Sequence, residues 1–494
     1  MEVFNKIAIA NRGEVAVRII RACQELGIET VLLHSEVDVN SIAYRMADET
    51  VCIGPAVTAE SYLNIEANVQ GAKSMGADAV HPGFGFLSEN ADFAKAVEDA
   101  GMVFIGPSPE SIQLFGDKIS AKKLVEKAGG PVIPGYQGED QSLHRLLKEV
   151  EAIGYPCIVK AAAGGGGRGL KVIRKKEEAK EAIASAQREG LSAFGSDQVF
   201  LEKYLDQAKH IEMQIFGDAG GTIYCLGERE CSIQRRHQKI IEEALSPALD
   251  EMLRQEMMDV AKKIATAAKY KGAGTIEFLL QKQEFFFLEM NTRLQVEHPV
   301  TEFVCGVDLV KAQILTAQGL SLGWQQEFTF HGHAIECRLY AEDPYQMGLP
   351  STGRLGSCMW PHGPGRRFEV GFAPGDEITS FYDSMIAKVI VWDETRPRAI
   401  KKMRETLKQT VVFGVKTNIP FLLKILEHPE FVSGEMTTKF IESHFAKALK
   451  APGVTDDVQK IIEDLYQKTG DSKVTEANTK MKEPNPFESS WERS

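Results

Sequence analysis

Long apolar runs are missing from this sequence. No stretch of its 494 residues approaches the roughly 20 consecutive apolar residues that a membrane-spanning helix needs. A basic segment leading into an apolar one is also missing from the start, Met1 to Lys6, so no secretory signal is expected. Excess positive charge is lacking: the formal net charge is -12, which argues against a nucleic-acid binder. Cysteines number eight and are scattered, with no C-x-x-C pair, which disfavours a zinc knuckle or a disulfide framework. Most lie in apolar runs such as Tyr155 to Val159, where they read as core thiols of a reducing, cytoplasmic compartment. Asn11-Arg12-Gly13-Glu14 follows the first strand where G-x-G-x-x-G would stand, so a dinucleotide site is disfavoured. No G-x-x-x-x-G-K-[ST] phosphate loop and no internal repeat are found.

What is present is ordinary in bulk and uneven in detail. An apolar fraction of 43% with 26% charged residues describes a globular protein. The length exceeds one compact core and implies two to four domains. Over 1–115, short β runs alternate with helical patterns: Lys6 to Ala10, then a helix from Glu14 to Leu26, then Thr30 to Leu33 and Met102 to Ile105. That rhythm predicts an α/β unit, a parallel sheet with helices on both faces. From 116 to 331 the pattern changes to α+β. A helix (Ile119 to Ala128) precedes strands at Cys157 to Ala161, Gln198 to Glu202, His210 to Phe216, Thr222 to Gly227, Gly274 to Leu280 and Glu284 to Asn291, which a long helix, Glu251 to Tyr270, interrupts. A third unit, 332–449, has strands at Ala334 to Leu339 and Ala387 to Val391. Residues 450–494 read as a polar tail with one amphipathic piece, Val458 to Tyr466.

The richest stretch runs from Phe285 to His298. Glu289, Asn291, Arg293, Gln295 and Glu297 fall on alternate positions, with Leu288, Met290, Leu294 and Val296 between them. Alternate residues of an extended chain share a face. One face would therefore carry acids able to hold a metal beside an arginine able to clamp an oxyanion. A solvated amphipathic strand is the bland alternative, and the aromatic lead-in argues against it. Glu277, on the preceding strand across a Lys-Gln-Glu turn, would meet Glu289, with Asn291 one pleat on; hard oxygens of this kind suit Mg²⁺.

Lys160 opens the loop Ala161 to Gly169, which holds Gly164, Gly165, Gly166 and Gly167 between two buried strands. Backbone N–H groups of such a loop can cradle phosphate oxygens, whereas a flexible linker would not sit there. Glu228 to Glu243 packs charges and amides densely; a solvated charge run and a ligand site reached by His237 and Lys239 remain equal readings. His81 to Asn90 is a turn-rich loop at a strand end, where α/β sheets place ligands, or simple turn chemistry before a helix capped at Ser88.

Together these residues closely resemble the biotin carboxylase component of biotin-dependent carboxylases, in the ATP-grasp superfamily. The resemblance runs from about Lys6 to Leu449 and includes Ala8 to Glu14, His81 to Asn90, Gly106 to Ser108, Gly116 to Lys118, the glycine loop, Glu228 to Lys239, Glu289 to Glu302, Gly332 to Pro344 and Tyr382 to Lys388. It implies three domains: a Rossmann-like N-terminal one, a central ATP-grasp one and a C-terminal biotin carboxylase one. By this resemblance Lys118, Lys160, Glu202, Lys203, Tyr204, Leu205, His210 and His237 hold ATP, with Gly166 and Gly167 closing over its phosphates. Glu277, Glu289 and Asn291 carry Mg²⁺ or Mn²⁺. Lys239, Arg293, Gln295 and the Val296 backbone bind bicarbonate, Glu297 is the general base, and Arg338 sits at the biotin ring.

The implied reaction is attack of bicarbonate on the γ-phosphate of ATP, giving carboxyphosphate, whose CO₂ is trapped as N-carboxybiotin. Departures are few: Phe84 where many relatives have Tyr near the biotin site, and Leu245 and Thr352 where prolines are common. Cys231, near the expected bicarbonate site, reads as a packing residue. No Ala-Met-Lys-Met acceptor motif is found, so the expected partners are a separate biotin carboxyl carrier protein and a carboxyltransferase, around a homodimer. The end of the chain loosely resembles the junction in fused acyl-CoA carboxylases. The expected role is thus the first half-reaction of an acetyl-, propionyl- or methylcrotonyl-CoA carboxylase, as in fatty acid biosynthesis. Alternatives are the biotin carboxylase subunit of a two-subunit pyruvate carboxylase, or another ATP-grasp carboxylate-amine ligase.

Overall fold

The computed structural model describes residues 3–39, 41–161, 170–236 and 238–450. The glycine loop with Gly166 and Gly167, His237 and the tail piece Val458 to Tyr466 lie outside the described residues.

Short, mostly apolar runs of two to seven residues form the first sheet: β1 (Lys6–Ile9), β2 (Glu29–Ser35), β3 (Glu49–Gly54), β4 (Ala79–His81) and β5 (Val103–Phe104). Its order is β3-β2-β1-β4-β5 and every pairing is parallel. The chain reverses direction of travel between β1 and β4, and the crevice beyond their carboxyl ends is where such sheets bind ligands. Asn11 stands there. Its amide donates to the carbonyls of Pro82 and Phe84, both at 2.7 Å, and so fastens the 82–90 loop to the end of β1. The helix after that loop is capped by Asn90, which accepts from Phe93 N–H, and spans Ala91–Asp99. The expected cap at Ser88 is corrected by this. Ser88 is buried and its N–H closes a turn onto the Gly85 carbonyl, while the Asn90 amide oxygen reaches the free N–H of the first turn.

A small four-stranded antiparallel sheet comes next: β6 (Gly135–Tyr136), β7 (Cys157–Ala161), β8 (Leu170–Ile173) and β9 (Val199–Lys203), in the order β6-β9-β7-β8. Its own core of Leu146, Val150, Val159, Ile183 and Leu201 packs against the helices Leu143–Ile153 and Lys176–Phe194.

The main sheet has eight strands: β10 (Lys209–Gly217), β11 (Ile223–Arg235), β12 (Gln238–Ala244), β13 (Gly272–Gln281), β14 (Glu284–Asn291), β15 (His333–Tyr340), β16 (Arg366–Val370) and β17 (Met385–Asp393). They lie in the order β14-β13-β10-β11-β12-β15-β17-β16. Strands from both sides of Gly332 therefore share one hydrogen-bonded sheet, joined where Ile241 faces Cys337. The strand predicted at Thr222 to Gly227 continues to Arg235, carrying the charged stretch into the sheet interior. One face of this sheet packs on the helix Glu251–Ala267 through Ile211, Met213, Ile276 and Phe278. The opposite face is polar and builds the site. Among the described residues, no helix is long and apolar enough to cross a membrane. All eight cysteines are free.

Candidate active site

A cavity of about 800 Å³ opens between the carboxyl edge of the parallel sheet and the polar face of the main sheet. His210, Lys239, Glu277, Glu289, Asn291, Arg293, Gln295, Val296 and Arg338 line it, together with Glu14, Phe84 and Tyr382.

Strand periodicity explains much of this set. His210, Glu212 and Gln214 alternate with Ile211, Met213 and Ile215, so β10 turns its polar residues to the site and its apolar ones to the core. Cross-strand pairing then places Glu212 opposite both Arg229 and Glu277, and Glu277 opposite Glu289. Period two alone would put Phe287 and Glu289 on one face. A bulge prevents that: Phe278 faces Phe287, the next pair is Glu277 with Glu289, and Leu288 is skipped. The extra residue rotates the strand, leaving Phe285 and Phe287 in the core while Glu289 enters the cavity.

The expected extended run past Asn291 does not form. The strand ends there, and 292–297 is an irregular segment leading into the helix His298–Cys305. Helix entry at Pro299 and backbone turns replace the ladder, yet Arg293, Gln295 and Val296 still reach the cavity wall. Met290 and Leu294 are buried, while Leu288 and Val296 line the cavity instead of the core.

Charge is concentrated beneath the cavity floor. Lys239 donates to Glu277 (2.8 Å), to Glu297 (2.7 Å) and to Glu212. Arg338 donates to Glu242 (2.6 Å) and Glu297 (3.0 Å). Arg229, fully buried, pairs with Glu212 and donates to Gln214, Thr275 and Thr301. Burial alone would drive the Glu297 proton affinity up, but Lys239, Arg338 and Arg229 hold it well below the usual carboxylate range. Burial likewise opposes charge on Lys239, and Glu212, Glu277 and Glu297 keep its ammonium strongly protonated. Glu242 is the opposite case: burial, only partly offset by Arg338, pushes it up to about 7. Cys231 is buried in the same region, and desolvation followed by Glu212 raises its thiol well above normal, which leaves a protonated packing residue.

Glu277 and Glu289 differ in the same way. Burial raises Glu277, but Lys239 and His210 more than reverse it; burial and then the Glu277 charge push Glu289 up. The Glu277 oxygens accept from Asn291 Nδ2 (2.8 Å) and lie 3.0 Å from His210 Nε2. Two facing carboxylates, one reluctant to ionise, with an amide oxygen beside them form a hard-oxygen set that fits a divalent cation. His210, Glu212 and Glu277 also have ligand atoms within 4.8 Å of one another. There, however, the Lys239 ammonium already supplies the positive charge.

The remaining described residues that were predicted lie away from this cavity lining. Glu202 on β9 accepts from Lys160 on β7 and from Lys122. Tyr204 lies under the ammonium of Lys439, 4.9 Å from the ring centre. Leu205 is buried, while Lys203 and Lys118 are exposed. None of these six predicted residues (Lys118, Lys160, Glu202, Lys203, Tyr204, Leu205) lines the described cavity, although the Lys118 charge is felt by Glu289. Sequence reasoning passed over Glu212, Arg229, Glu242 and Lys122. For Glu212 the signal was legible in the polar–apolar alternation of His210 to Ile215. For Arg229 and Glu242, only the density of charge in 228–243 marked the region.

Family models match three successive segments. Residues 3–112 match the biotin carboxylase N-terminal domain, 117–325 the ATP-binding domain of the carbamoyl-phosphate synthase L chain, and 336–443 the biotin carboxylase C-terminal domain. Biotin carboxylase 1 of Bacillus subtilis is 49% identical over 442 residues, 89% of this chain and 98% of that protein. The chain belongs to the biotin carboxylase family.

It is accordingly an ATP-grasp ligase with a three-domain architecture. The mitochondrial propionyl-CoA carboxylase alpha chain of Mus musculus is 46% identical over 92% of this chain, which spans only 63% of that relative. The biotin carboxylase domain dimer of Hydrogenobacter thermophilus 2-oxoglutarate carboxylase was solved with MgADP, ADP and bicarbonate. It superposes with a TM-score of 0.85 at 43% identity, covering 92% of this chain and all of that one. The biotin carboxylase fold thus accounts for the cavity between the parallel sheet and the main sheet.

Proposed function

We propose that this biotin carboxylase carries out its reaction through the residues gathered at the cavity, with the units 1–115, 116–331 and 332–449 dividing the work. The observation that carries the reading is the clasp on Glu297: a buried carboxylate held ionised by Lys239 and Arg338 next to a cavity lined by Arg293, Gln295 and Val296. An ionised carboxylate can remove the bicarbonate proton, while Arg293 and Lys239 hold the resulting anion for attack on the γ-phosphate of ATP.

Lys160, Glu202, Lys203, Tyr204, Leu205, His210, His237 and Lys118 bind the nucleotide, and Gly166 and Gly167 close over it. Exclusion of water by that closure protects carboxyphosphate, which is labile in water. Glu277, Glu289 and Asn291 would hold Mg²⁺ or Mn²⁺, which offsets phosphate charge when bound. After carboxyphosphate breaks down, phosphate takes the proton of the biotin ureido nitrogen. Arg338 faces the developing enolate, and the nitrogen captures CO₂. Phe84 lines the same cavity without a hydroxyl, so it offers the biotin ring an apolar wall.

Biotin is presented by a carrier protein, the enzyme works as a homodimer, and a carboxyltransferase receives the product. Identity to the propionyl-CoA carboxylase alpha chain supports an acyl-CoA as the final acceptor. The likeness to the 2-oxoglutarate carboxylase domain keeps a 2-oxo acid, as in a pyruvate carboxylase, as the second reading.

Transfer of labelled bicarbonate to free biotin, with Mg-ATP and the purified chain, tests the first half-reaction. An acid-labile carboxylated product that depends on both biotin and ATP is expected. If no product forms with free biotin or with a biotinylated carrier, the assigned roles fall.

A further inference from the structure

The loop His81 to Asn90 holds Glu89 against the far edge of the bicarbonate clamp. Glu89 Oε2 accepts from Arg293 Nε at 2.7 Å, and its Oε1 accepts from the Thr292 N–H at 3.1 Å. One carboxylate thus brackets the point where β14 ends and the irregular segment begins. Of the other donors of Arg293, Nη2 reaches Asn291 Oδ1 (3.0 Å), and Nη1 reaches Gln295 Oε1 (3.1 Å) and the Leu294 carbonyl (3.4 Å), which leaves an Nη2 N–H for an anion. Glu89 alone among these partners belongs to the parallel-sheet unit, 204 residues away in sequence from Arg293.

The loop that carries Glu89 is firmly built. Asn11 ties down the Pro82 and Phe84 carbonyls, Gly83 N–H donates to His81 Nδ1 at 3.1 Å, and Ser88 and Asn90 N–H groups close turns onto Gly85 and Leu87. Gly83 and Gly85 have φ of +63° and +69°, a region a side chain rarely adopts. At Gly83 an added Cβ would also come within 2.9 Å of the Asn11 amide nitrogen. A rigid loop of this kind can fix the direction of a guanidinium. A planar fork must be aimed before it can take an anion on its remaining N–H groups.

We propose that Glu89 is a positioning residue for Arg293, and that the parallel-sheet unit contributes to bicarbonate binding through it. The proposal rests on the reading of Arg293 as the bicarbonate clamp. Glu89 does not touch the substrate: it holds the Nε edge so that the rest of the guanidinium faces the cavity.

The test is a double-mutant cycle on the full chain, with ADP release measured against bicarbonate at saturating Mg-ATP and free biotin. Glu89→Ala is expected to lower kcat/KM for bicarbonate by about tenfold to a hundredfold, with KM for ATP unchanged. Glu89→Gln, which keeps an oxygen for Thr292 N–H but drops the charge, is expected to fall between wild type and Glu89→Ala. In an Arg293→Ala background, Glu89→Ala is expected to add less than about twofold, because the group it positions is gone. Unchanged bicarbonate kinetics in Glu89→Ala, or the same loss repeated in the Arg293→Ala background, overturns the proposal while leaving the clamp intact. Wild-type bicarbonate kinetics in Arg293→Ala alone removes the clamp and the proposal with it. Because the Glu89 side chain is 39% exposed, its truncation is not expected to unfold the chain.

Discussion

Replacing Lys239 with glutamine removes the cation that three carboxylates share. Glu212, Glu277 and Glu297 all accept from its ammonium, and the side chain is 12% exposed. At 2.7 Å from Glu297, a charge pair in a medium of effective dielectric near 20 is worth about 6 kcal/mol. Relaxation and screening reduce the observable shift from one neighbouring charge to about 1–3 pH units. The sign follows from which form is active. A carboxylate acts as a base only when ionised, and the Glu297 pKa is held well below the normal range. Activity that needs this base is therefore present above that pKa and lost as pH falls through it. Losing Lys239 raises the pKa, so the acid limb of kcat/KM for bicarbonate is expected to move upward by about 1–3 pH units. The plateau is expected to fall about 10²- to 10³-fold with the loss of charge stabilisation. The assay is ADP release from pH 5.5 to 9 with the bicarbonate ion held at one concentration throughout. The wild-type profile is expected to stay flat down to pH 5.5 and the Lys239→Gln profile to fall at that end, because burial is then less opposed; an equally flat variant profile would refute the claim that Lys239 keeps Glu297 ionised.

Four further outcomes are expected. Glu297→Gln lowers bicarbonate-dependent turnover by roughly 10²- to 10⁴-fold with nucleotide binding retained; a near-normal rate removes it as the base. Arg338→Ala impairs carboxylation of biotin more than ATP cleavage in the absence of biotin, read by comparing labelled product with ADP; equal losses mean that it does not act at the biotin ring. Glu289→Gln raises the free Mg²⁺ needed for half-maximal activity by at least about tenfold, checked by titration against a chelator. Glu14 is buried, and despite Lys388 it is pushed up to about 7, with Glu369 adding to the rise. Its stabilising contribution is full below the unfolded value near 4.3 and is lost as pH rises through about 7. Between pH 5 and 8.5 the wild type should thus lose up to about 3 kcal/mol more than Glu14→Gln, measured by urea unfolding at the two pH values.

Much of the candidate site is legible in the sequence alone. The pairing of Glu277 with Glu289, and Asn291 one pleat on, followed from two apolar strands joined by a short turn, and the structure has that register. The continuation of the polar alternation to Glu297 was not real as a strand, because the ladder stops at Asn291. Its residues converge all the same, because the irregular segment folds over the site before the helix at His298. The bulge at Leu288 could not be read, since it depends on the partner strand and leaves no mark of its own in the sequence. The charged stretch 228–243 was undecidable for a related reason. Whether a dense charge run is solvated or buried depends on what lies opposite, and here Glu212 and Glu336 in neighbouring strands bury it.

By itself the sequence determined which local elements hold the candidate site residues. Strand periodicity, hairpin spacing and the motif set from Ala8 to Lys388 are properties of neighbours along the chain. What only the tertiary structure decided is which charges meet. Lys239 with three acids, Arg338 with Glu242 and Glu297, and Arg293 with Glu89 are contacts across 27, 38, 58, 96, 41 and 204 residues. Proton affinities follow from those meetings, because burial and a nearby opposite charge act through space and not through sequence. The same glutamate side chain is therefore ionised at position 297 and pushed up to about 7 at position 242.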